Sequence, residues 1–129
     1  MKVTILSVSQ TTQPTIVEFS CCCGRASAEW HGPAPAAGDE SYVELDAETV
    51  VPLRADAKRA AVEAPRLLEV NGRYLVRAEL INVSPENEIV DLKLGDGSLT
   101  LEYDKTAGQP LRGWYELELR DLRLFDMGL

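Results

Sequence analysis

Cys21, Cys22 and Cys23 stand side by side, and the chain's single histidine, His31, follows shortly after. Three thiols and an imidazole are nominally a zinc set, or a thiol–imidazole pair for nucleophilic catalysis. The spacing argues against the metal. Structural zinc sites usually separate their cysteines by two to four residues so that the chain can curl round the ion, and neighbours on a strand point to opposite faces. No metal and no other cofactor is therefore expected. Cys22 and Cys23 remain candidate reactive thiols at an exposed turn, with Arg25 as the local positive charge that a lowered thiol pKa would need. A thiol-dependent enzyme or redox protein would use one of them with His31. The chain has no Gly-x-Ser-x-Gly elbow, phosphate-binding loop or Glu-flanked histidine pair, which disfavours an enzyme.

The elements that carry these residues emerge from an internal repeat. ILSVSQTTQPTIVEFSCCCGRASAEW (5–30) lies over LINVSPENEIVDLKLGDGSLTLEY (80–103), and YVELDAETVVPL (42–53) lies over WYELELRDLRLF (114–125). Val8-Ser9 falls on Val83-Ser84, Ile16–Phe19 on Ile89–Leu92, Gly24 on Gly97 and Trp30 on Tyr103. Identity is low, but the apolar phase is kept. Val90, Leu92 and Leu94 alternate with polar neighbours, as do Leu99, Leu101 and Tyr103, the period of half-buried strands.

Asp96-Gly97 is a favoured two-residue hairpin turn, and it would set Leu94 opposite Leu99 and Val90 opposite Tyr103. The matching hairpin pairs Cys21 with Ala26 and Val17 with Trp30. Asn71-Gly72 signals a further hairpin between 66–70 and 73–80. The Ala-rich stretch 54–64, stopped by Pro65, is the one helical candidate.

The expected architecture is all-β: an internally duplicated antiparallel sandwich or closed barrel of about 8–11 strands with approximate two-fold symmetry. It forms one domain, 1–129. Residues 1–53 are the first β-repeat, 54–72 a linker with a possible short helix and one extra strand, and 73–129 the second β-repeat. A five-stranded oligonucleotide-binding barrel is disfavoured by length, duplication and charge.

That register has a consequence for the carboxylates. It places Glu18 across from Glu29 and Asp91 across from Glu102, all outward, although like charges opposed across strands are destabilising. Glu44 and Asp46 match Glu116 and Glu118 on later strands, again outward. Such a face is a docking surface for a basic partner, a solvated surface, or a hard-cation site, the last disfavoured because strands rarely wrap six oxygens round an ion. Trp114, outward at a strand start, is a candidate contact residue. Trp30 and Tyr103 belong to the core face, or to the lining of a pocket if the barrel leaves room.

The formal net charge of -8, with scattered basic residues, disfavours nucleic acid. No apolar run is long enough to span a bilayer and no signal peptide is evident, so a reducing cytoplasm is expected. The expected function is a non-enzymatic interaction module, of inhibitor or adaptor type, for a basic protein. Its alternatives are a β-barrel for a small apolar ligand and the thiol protein above. Oligomeric state stays open, a dimer included.

Overall fold

A computed structural model describes residues 1–9, 13–54 and 57–128. Eleven strands follow in chain order: Lys2–Ser9 (β1), Ile16–Cys21 (β2), Gly24–His31 (β3), Glu40–Asp46 (β4), Val50–Val51 (β5), Arg66–Val70 (β6), Arg73–Ser84 (β7), Ile89–Leu94 (β8), Gly97–Tyr103 (β9), Gly113–Leu119 (β10) and Arg123–Asp126 (β11). The fold is all-β, with a closed five-strand barrel and additional strands. Of the helical stretch expected at 54–64, residues 55 and 56 lie outside the described residues, and 57–64 form irregular chain with bends. Pro65 and the absence of a strong apolar stripe leave those residues nothing to pack a helix against.

The barrel closes in the order β1–β2–β3–β11–β4 and back to β1. A five-strand ring is thus the unit that closes. The sheet is not purely antiparallel. β11 lies parallel to β3, β6 parallel to β3, and β5 parallel to β9. The remaining strands run β10–β7–β8–β9–β5, with β6 bridging β3 and β7. Each group takes its final strand from the other. β11 follows β10 in sequence but pairs with β3 and β4, and β5 follows β4 but pairs with β9.

Both meanders carry the same irregularity. The β1–β2 ladder slips between Ile5 and Ser7, and the β7–β8 ladder slips between Leu80 and Asn82. Bulges of this kind bend a strand and sharpen its twist, which curls a short sheet toward closure. The second group nevertheless stays open. β5 approaches β10 without pairing to it. In register with β9, Val50 and Val51 stand where Arg123 and Leu124 stand against β3. The next position is Phe125 in one strand and Pro52 in the other, and proline has no N–H to extend a ladder.

The apolar periodicity reads directly into the core. Val3, Ile5, Val17, Phe19, Val90, Leu92, Leu99 and Leu101 are buried in one contiguous cluster. Asn71-Gly72 forms the expected hairpin turn, both residues at positive φ (52° and 77°). Gly24 meets a tighter demand: its φ is 149°, and an added Cβ would sit 2.0 Å from the Leu67 carbonyl oxygen where β6 abuts β3.

Three stability effects follow. Leu124, fully buried on β11, should cost about 3 kcal/mol when cut to alanine, whereas Phe125→Ala on the outer side of the same strand should cost about 1 kcal/mol. Gly24→Ala forces either a strained φ or retreat of β6 and should cost about 3 kcal/mol. Urea unfolding monitored by circular dichroism measures all three.

Candidate functional site

The two hairpins keep the expected faces but are paired two residues closer to their tips. Phe19 faces Ala26, and Leu92 faces Leu99, so the turns are Cys22-Cys23 and Gly95-Asp96. Gly95, at φ 61°, takes the left-handed position that the sequence pattern assigned to Gly97. Asp96 is thereby released to accept the Lys2 backbone N–H at 3.0 Å, which holds its carboxyl below the usual value. The shift of two separates the opposed acids expected above. Glu18 lies across from Ser27, and Arg25 donates to its carboxylate at 2.6 Å. Asp91 lies across from Thr100, accepting from Thr100 Oγ1 at 2.7 Å and Asn82 Nδ2 at 3.2 Å. Glu29 faces Ile16 and sits 2.9 Å from His31 Nε2, and Glu102 faces Ile89.

The outer acids of the later strands are also partnered. Arg123 binds both Asp46 and Glu48. Arg77 reaches Glu116 at 3.3 Å and Arg73 reaches Glu118 at 3.2 Å, across the β7–β10 ladder. Glu44 and Glu102 are exposed. The uniformly acidic outer face is therefore a charge-mixed one. Repeat matching aligned β10 with β4 but not with the arginines of its neighbour β7, which the Arg73–Arg77 alternation brings alongside. Trp114 is half-buried opposite Glu79, and its carbonyl accepts the Ala60 N–H at 2.7 Å.

Cys22 and Cys23 do not meet His31. They lie at one end of β3 and His31 at the other, roughly 23 Å apart along an eight-residue strand. His31 instead stacks on Phe125 with ring centroids 4.5 Å apart. The thiols have a different neighbour. Cys22 Sγ lies 3.0 Å from Cys23 Sγ and 3.2 Å from Asp96 Oδ1 of the facing hairpin tip. Burial, with Cys22, Cys21 and Asp96 beside it, pushes the Cys23 thiol well above its ordinary value, and burial raises Cys21 as well. Cys23 is thus held protonated, and the lowered pKa considered from sequence is not found there.

The small-ligand alternative needs room inside the barrel, where Val3, Ile5, Val17, Phe19 and Leu124 are buried. Trp30 and Tyr103 are buried core residues, Trp30 Nε1 donating to the Pro33 carbonyl at 2.9 Å.

What remains open is the seam between β5 and β10. A surface cleft of about 760 Å³ runs there, lined by Glu48, Thr49, Val50, Glu116, Glu118 and Asp121 among others. β10 is bonded to β7 on one side only. Trp114 turns its carbonyl to Ala60 on the other side, so the two-residue alternation of the ladder points the N–H and C=O of Glu116 and Glu118 the same way. Among the described residues no ladder bond meets them.

Comparison with protein-family models, curated proteins and solved structures returned no significant match.

One end of the seam is clasped. Asp121 accepts from the N–H groups of Glu48 (2.7 Å) and Thr49 (3.1 Å) and from Thr49 Oγ1 (2.6 Å), and Thr49 Oγ1 in turn accepts the Arg120 N–H at 3.0 Å. The segments that carry the chain out of β4 and out of β10 are thus tied together where they cross. Partial burial would raise the Asp121 carboxyl, but these bonds and the Arg123 charge outweigh it and hold the pKa below 3.8. A depressed folded-state pKa means stability that is present above the unfolded value and is lost as the pH falls through the folded one. Asp121→Asn should accordingly melt lower than the parent near neutral pH. The difference should shrink as pH falls below 3.8 in a series of thermal melts.

Proposed function

We propose that the chain is an internally duplicated interaction module whose open β10 edge accepts an extended, basic segment of a protein partner by strand addition. The observation that carries this reading is the unpaired backbone of Glu116 and Glu118 beside the cleft. An exposed strand edge is a ready template for another strand, and main-chain bonds supply affinity while flanking side chains choose the sequence. Glu48, Glu116 and Glu118 each already meet one arginine (Arg123, Arg77 and Arg73), and with Asp121 they still outnumber Arg120 on the cleft walls, which favours lysine and arginine in the incoming strand. The net charge of -8 steers such a partner in from a distance.

The repeat supports the same reading. The first meander is completed on both sides by β4 and β11, so β4, with Glu44 and Asp46, has no free edge. The second lacks the equivalent closure because β5 ends at Pro52. Duplication followed by loss of one closing ladder would turn a structural seam into a binding edge.

A synthetic peptide of alternating lysine and valine tests this against isotopically labelled protein. Titration should shift the Glu116 and Glu118 amide resonances, weaken with added salt, and fail when alternate peptide nitrogens are methylated. The double variant Glu116→Lys/Glu118→Lys should bind about tenfold more weakly, roughly 1.4 kcal/mol. Shifts confined to other strands, or equal binding by the charge-reversed variant, would remove the proposal.

A further inference from the structure

We propose that Cys22 and Cys23 form a chelating dithiol site for a trivalent metalloid of the arsenic or antimony class. The site is independent of the β10 edge. It is built by the turn register: the pair occupies both central positions of the β2–β3 turn, where the alternation of a strand no longer drives neighbouring side chains to opposite faces. Their sulfurs lie 3.0 Å apart, one exposed at Cys22 and one buried at Cys23. The facing tip leaves room for them. A Cβ at Gly95 would lie 2.4 Å from Cys22 Sγ and 2.6 Å from Cys23 Sγ, so only glycine permits the two thiols to sit where they do.

Chemistry chooses among possible uses of two adjacent thiols. Direct oxidation is disfavoured, because neighbouring Cα atoms stand about 3.8 Å apart across a trans peptide, less than the roughly 4.4–6.8 Å that disulfides span. Zinc needs about four ligands in a tetrahedron, and no group of three or more metal-binding side chains converges among the described residues. Mercury in its two-coordinate form holds its sulfurs on opposite sides, which close sulfurs cannot do. A pyramidal trivalent centre binds two close sulfurs on one side and keeps a third substituent toward solvent. Soft sulfur donors suit it.

The reaction also fits a protonated Cys23 thiol. With arsenous acid two S–H and two As–O bonds break, two As–S bonds form, and two water molecules leave with the thiol protons. Arsenic stays trivalent, one hydroxyl remains on it, and no oxidant or reductant is required. Burial of Cys23 hinders ionisation but not this condensation.

Phenylarsine oxide is the probe, which loses one water as its oxygen takes both thiol protons. Reduced full-length protein should gain one adduct per chain by intact mass spectrometry, resistant to excess 2-mercaptoethanol and stripped by 2,3-dimercaptopropanol. Cys22→Ser and Cys23→Ser should each lower the apparent affinity by about 10²–10⁴-fold, the loss expected when a second, intramolecular attachment is removed. Cys21→Ser should keep the resistant adduct. Because Cys22 is exposed, its serine variant should retain the parent's circular dichroism and decides the matter even if Cys23→Ser unfolds. A parent adduct stripped by the monothiol, a resistant adduct on Cys22→Ser, or its loss in Cys21→Ser would each overturn the assignment.

Discussion

β11 completes a barrel made otherwise of β1–β4, although it follows β10 directly in the chain, and the short β5 makes the reciprocal crossing. Everything else rests on this exchange. The crossing segments leave their ladders and must find other partners for their backbone groups. Asp121 supplies them to Glu48 and Thr49, while Thr49 supplies one to Arg120. Leu122 and Leu124 on either side of Arg123 are buried, so the crossing is fastened by a polar clasp on its surface and by apolar packing beneath. The second contact between the two groups is made by the hairpin tips, where Asp96 meets Cys22 and Gly95 stands against Cys22 and Cys23.

Much of this was legible in the residues. Period-two alternation identified the core faces of β2, β3, β8 and β9, because one face of each is buried and a one-residue slip would expose it. A slip of two carries no such penalty, which is why the turn could be misplaced without disturbing a single face. Asp-Gly is a strong turn signal, but here Asp96 does more as an acceptor for the Lys2 N–H, and Gly95 can take the positive φ instead. The destination of the last strand was not legible. Alternation reports which face of a strand is buried and is silent about its neighbour. The match of 42–53 with 114–125 also runs one residue out of step at β5 and β11, which hid the equivalence of Pro52 with Phe125.

The charges show the same limit. A composition with excess carboxylate and outward Glu on several strands reads as an acidic face, yet Arg25, Arg73, Arg77 and Arg123 are placed to answer Glu18, Glu118, Glu116 and Asp46. Exposed pairs of this sort add little stability. Their effect is to mix the charge of the outer face, the seam included, where what stands apart is that carboxylates coincide with backbone groups that lack a ladder. For the cysteines the limit lies elsewhere. The strand rule speaks against three consecutive thiols converging and is silent on a pair, and Cys22 and Cys23, expected at the turn, stand in contact there.

The exchange of closing strands also bears on how the chain can be made. During synthesis β1–β4 emerge first, but the ring they belong to has a vacancy until Arg123–Asp126 arrives, long after β4. Contacts of such long sequence separation slow folding and prolong the life of unfinished edges. The amino-terminal half must therefore wait as an open sheet, with β3 and β4 as its unfinished edges. Arrival of β11 closes the ring, and a chain cut short of Arg123 loses the closure of a barrel built otherwise from β1–β4.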